Sequence, residues 1–67
     1  MVTEPELEER LRAELGLGDI ARAVATTLDW WREQYRALYS RPPTPDLETE
    51  TRDWLSARAE RIDLDAL

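Results

Sequence analysis

The sequence predicts an all-α protein, three helices folded into one antiparallel bundle. Three observations predict it. Apolar residues recur at steps of three and four through three successive stretches. Each stretch opens on a residue suited to cap a helix: Thr3, Asp19 or Thr44. No stretch before the last five residues alternates apolar and polar residues as a half-buried strand would.

The first helix is predicted over residues 4–15. Thr3-Glu4-Pro5-Glu6 has the spacing of a capping box, with Pro5 in the tolerant first turn. Leu7, Leu11 and Leu15 then form one apolar stripe, and Glu6/Arg10 and Glu8/Arg12 are spaced to pair along the helix. Gly16 is placed to end the helix in a left-handed conformation, with Leu17 folding back.

Asp19 caps a long central helix over 20–39. Its stripe runs Ile20, Val24, Leu28, Trp31, Tyr35, Leu38 and Tyr39, with Ala21, Ala25 and Ala37 beside it for close approach. Twenty residues of helix span ~30 Å, which is long for a chain this small.

A proline-rich turn over 40–45, Ser40-Arg41-Pro42-Pro43-Thr44-Pro45, stops the helix and reverses the chain. Thr44 followed by Pro45 starts the third helix, predicted over 45–62. Asp46 and Glu48 favour its N-terminus through the helix dipole. Leu47, Thr51, Trp54, Leu55, Ala59 and Ile62 mark its buried side, and Glu48/Arg52 is a further pair at helical spacing. The tail from 63 to 67 alternates acid and apolar residues and is expected either to fray or to dock.

Composition limits what these helices can do. The chain is one small domain, 1–67, in which Leu, Ile and Val supply only 14 of 67 residues. So thin a core suggests completion by a second copy, a homodimer whose two central helices pack against each other through Trp30, Trp31, Tyr35 and Tyr39. There is no His and no Cys, which removes the usual general base, the best nucleophile and the common zinc ligands. The expectation is therefore no catalytic residue, no cofactor and no metal. No run approaches the ~20 apolar residues of a membrane span. The acidic start, Met1-Val2-Thr3-Glu4, is unlike a secretory signal. All nine basic residues are Arg, and Lys, Asn and Phe are absent, a bias that GC-rich codons produce. The expected setting is a bacterial or phage cytoplasm.

Charge divides by segment. Residues 1–18 carry net −3, residues 19–41 net +1 and residues 42–67 net −4. The outer helices can thus complement the central one. A net charge of −6 repels phosphate, so direct nucleic-acid binding is not expected.

Four of the five aromatic residues fall between Trp30 and Tyr39. Trp and Tyr are enriched at binding hot spots. Trp30, Trp31, Tyr35, Tyr39 and Trp54 are accordingly the candidate protein interface, and Trp30, about 100° round the helix from Trp31, is the residue the main stripe leaves out. The function this implies is a non-catalytic interaction module, an accessory or regulatory subunit whose partners are itself and another protein. The alternative is an acidic inhibitor, antitoxin or nucleic-acid mimic, presenting Asp46, Glu48, Glu50, Asp53 and Glu60 to a basic enzyme. Ser56 and Glu60 have the spacing of the S/T-x-x-x-E-G/N motif, and this segment resembles in part the small helical antitoxins of Fic-domain enzymes. Arg61 stands where that family has Gly or Asn, so the motif is incomplete.

Overall fold

The structure, a computed structural model, describes residues 3–65 and consists of α1 (Glu4–Leu15), α2 (Ile20–Tyr39) and α3 (Pro45–Asp65). The predicted starts hold. Glu6 accepts from the Thr3 backbone N–H at 3.4 Å, and the Asp19 carboxylate accepts from the Arg22 N–H at 2.7 Å. Thr44 Oγ1 accepts from the Leu47 N–H at 3.2 Å. Each bond satisfies a donor that the first turn or the cap would otherwise leave open.

Two helix ends differ from expectation. Gly16 is right-handed, φ −68° and ψ −15°, and Leu17 does not fold back but is 76% exposed. Only Gly16, Leu17 and Gly18 separate α1 from the Asp19 cap, so the chain leaves by a tight continuation of the last turn, with the Leu17 N–H donating to the Glu14 carbonyl at 3.0 Å. The left-handed residue is Ser40 instead, φ 57° and ψ 28°, ending α2 with its N–H on the Arg36 carbonyl at 2.8 Å. Pro42 and Pro43 behind it forbid any continuation. At the other extreme, α3 runs to Asp65 rather than 62. No Gly or Pro follows Pro45 to stop it, and Ile62 still packs against the core. Residues 66 and 67 of the tail lie outside the described residues.

The core takes residues from all three helices: Leu7 and Leu11 of α1, Ala23, Val24, Leu28 and Trp31 of α2, and Leu55 and Ala59 of α3. Each large apolar side chain removed from water contributes about 1.5–3 kcal/mol before chain entropy is charged. Two of the eight are alanines, so the core is as thin as the composition implies. Leu15, Ile20, Trp30, Tyr35, Leu47, Trp54 and Ile62 pack around it, half-buried. The result is a rod, 40 × 19 × 18 Å. Leu38 and Tyr39 depart from the predicted stripe. They are 50% and 46% exposed, because α1 does not extend far enough along α2 to cover them.

Two of the ion pairs between helices join the central helix to an outer one, as the charge division suggests, and a third joins the two outer helices. Arg32 of α2 pairs with Glu48 of α3, so Glu48 is not held by Arg52. Arg22 of α2 reaches Glu14 of α1 at 3.2 Å, and Arg58 of α3 reaches Glu8 of α1 at 2.8 Å. Arg10 turns to Glu14 at 3.4 Å rather than to Glu6, while Glu8/Arg12 forms as expected at 3.7 Å.

Candidate functional site

The aromatic residues divide into buried, covered and exposed members. Trp31 is 7% exposed and sits inside the chain's own core, so it offers a partner almost no surface. Trp30 is half-buried against the core, and the Arg10 guanidinium of α1 lies 5.7 Å from the centre of its ring. α1, α2 and α3 all pack on one another, and both tryptophans find cover within one chain. Trp54 of α3 is half-buried beneath Arg58, 4.9 Å from its ring centre, and the same arginine holds Glu8. Trp54 therefore belongs to the α1–α3 contact.

A ladder of rings leads out of the core along α2. Trp31 and Tyr35 have centroids 5.6 Å apart, and Tyr35 and Tyr39 4.5 Å apart, tilted by 49° and 46°. Such tilted pairs contribute about 0.5–1.5 kcal/mol beyond area burial. They hold Tyr39 in place although nearly half of it faces water. Leu38 is exposed beside it. Arg32, which the sequence places near this end, does not join the ladder. It donates from Nε to Glu48 and from Nη1 to Asp29 at 2.6 Å. Its pKa is raised, first by the hydrogen bond to Glu48.

The candidate acidic residues also separate. Asp46, Glu50, Asp53 and Glu60 are exposed, and their spacing of four, three and seven residues keeps them on the outward side of α3. Glu48 points the other way, half-buried against Arg32. Ser56 is half-buried beside α2 and lines a groove with Glu60. Among the described residues no group of three or more His, Cys, Asp or Glu is placed to hold a metal ion, and no helix is long and apolar enough to cross a membrane.

Two buried polar residues escape the sequence reading. Glu14 is buried and held by Arg10 and Arg22, with Arg22 Nη2 also donating to its carbonyl at 2.8 Å. Thr27 is fully buried, and its Oγ1 has no hydrogen-bond partner among the described residues. Position was the available signal. Glu14 continues Leu7 and Leu11 at steps of four and three, and Thr27 lies between Ala23 and Trp31 at steps of four.

No protein-family model, curated protein or solved structure matches this chain.

Proposed function

We propose that this protein is a non-catalytic interaction module, an accessory or regulatory subunit that works as a homodimer and grips another protein through the end of α2. The observation that carries the reading is the Trp31–Tyr35–Tyr39 ladder. It starts in the core and ends in a tyrosine that is held by ring contacts yet exposed, next to an exposed leucine. A pre-ordered aromatic anchor loses little side-chain entropy on binding, which is the property of hot-spot residues. Trp31 supports Tyr39 from behind rather than touching the partner.

The test is affinity capture from the native host with the wild type and with Leu38→Ser and Tyr39→Ser variants. The same protein should be recovered at stoichiometric yield with the wild type and lost with both variants, while circular dichroism shows unchanged helix content. Equal recovery by all three baits would remove the assignment to this end of α2.

A further inference from the structure

One flank of the rod carries charged groups that the described residues of its own chain leave unpaired. Between α2 and α3 runs an open groove of about 570 Å³. Ala21 and Ala25 are exposed on its α2 side, and Arg52, Ser56 and Glu60 line its α3 side. α3 buries only two of its 21 residues. The small residues Ala25 and Ser56 sit near the middle, where another helix pair could approach closely.

Of the four charged side chains that line the groove, Asp29 and Arg32 pair with each other, which leaves Arg52 and Glu60. Arg52, Ser56 and Glu60 are one stripe at four-residue spacing, with opposite charges about 12 Å apart on either side of Ser56. Among the described residues neither Arg52 nor Glu60 has an ion-pair partner, and Glu48, which spacing alone would give to Arg52, is taken by Arg32. A stripe that is positive at one end and negative at the other is complementary to itself when turned end for end. A two-fold axis at the level of Ser56 and Ala25 sets Arg52 of each copy opposite Glu60 of the other, the isologous arrangement of a closed dimer.

We infer that the α2–α3 flank is where a second copy of this chain docks, antiparallel, with Arg52 and Glu60 exchanged between the copies. The inference rests on the reading of the chain as a homodimeric module and fixes the face it uses. The flank takes Glu60 from the edge of the outward face of α3, while Asp46, Glu50 and Asp53 stay in water and the Tyr39 end stays open to a different protein.

Sedimentation velocity at micromolar concentration and low salt tests it. The wild type should sediment as a dimer. Arg52→Glu and Glu60→Arg each place like charges opposite one another at two points, and each should weaken association by about tenfold. Both positions are exposed, so helix content should not change. An equimolar mixture of the two variants should recover the dimer, as should the R52E/E60R double variant, because each restores both opposite-charge pairs. Ala25→Arg should give a monomer by steric block. A monomeric wild type would end the proposal. A wild-type dimer with single variants that associate equally well, or with a mixture that stays monomeric, would overturn the face while leaving the dimer standing. Binding at the Tyr39 end is read separately by capture with the monomeric variants.

Discussion

Arg22 grips Glu14 twice, donating from Nη2 to its backbone carbonyl at 2.8 Å and to its carboxylate at 3.2 Å. The double contact ties the last turn of α1 to the first turn of α2 and leaves a buried carboxylate compensated. Arg22→Ala should therefore destabilise the fold by about 1–2 kcal/mol, since hydrogen bonds to charged groups are worth more than neutral ones. Urea unfolding checks it. A loss below a few tenths would mean that Arg10 alone suffices.

Gly18 makes room for that grip. A Cβ at this position would collide with the Arg22 side chain, and the backbone is not left-handed. Two effects oppose each other in Gly18→Ala: displacement of Arg22, and the about 0.4–1 kcal/mol gained when Ala restricts the unfolded chain. The substitution should destabilise the wild type but stabilise the Arg22→Ala variant. The sign change in a double-mutant cycle is the measurement. The same sign in both backgrounds would separate the two residues.

Thr27 has a fully buried hydroxyl with no partner among the described residues. Valine has nearly the same shape without the desolvated oxygen. Thr27→Val should stabilise the fold by about 1 kcal/mol, which for a domain of this size raises Tm by about 4–8 °C. A fall in Tm on calorimetry would show that the hydroxyl is satisfied in solution.

The left-handed Ser40 gives a fourth prediction. A non-glycine residue there bears a steric cost, and glycine removes it. Ser40→Gly should raise stability by about 0.5–1 kcal/mol, read from the midpoint of chemical unfolding. A loss would mean that the added freedom of the unfolded glycine outweighs the relief.

Arg32 links α2 to α3 through Glu48, and its pKa is raised. A base whose folded pKa lies above its unfolded one stabilises the fold at all pH below the unfolded value. Its contribution should thus hold through neutral pH, while Glu48 is ionised, and be lost in strong alkali. Both side chains are about a third exposed. A cycle on Arg32 and Glu48 should give a coupling of about 0.5–1 kcal/mol that shrinks with salt, and one on Glu48 and Arg52 should give none. Coupling to Arg52 of similar size would restore the pairing that spacing alone suggests.

The starts of the helices were legible in the sequence because caps are local: Thr3, Asp19 and Thr44 act within one turn. The ends were less so. Gly16 permits a left-handed cap, but a short connection to Asp19 decided otherwise, while Ser40, whose type does not announce it, adopts that conformation at the end of α2. Ion pairs were misassigned where a partner on another helix outcompeted one on the same helix, as Glu48 shows. Trp30 was the residue a single stripe could not place. It found its cover under Arg10, a contact made by tertiary arrangement and invisible to spacing.

The salt response of partner binding tests the central claim most directly. A partner held by Leu38 and Tyr39 should stay bound from low to moderate salt and be lost in Tyr39→Ser. A partner held by carboxylates should be released steeply over the same range. Release by salt, with binding kept in Tyr39→Ser and lost when Asp46, Glu50 and Asp53 are made neutral, would contradict the account and favour the acidic inhibitor.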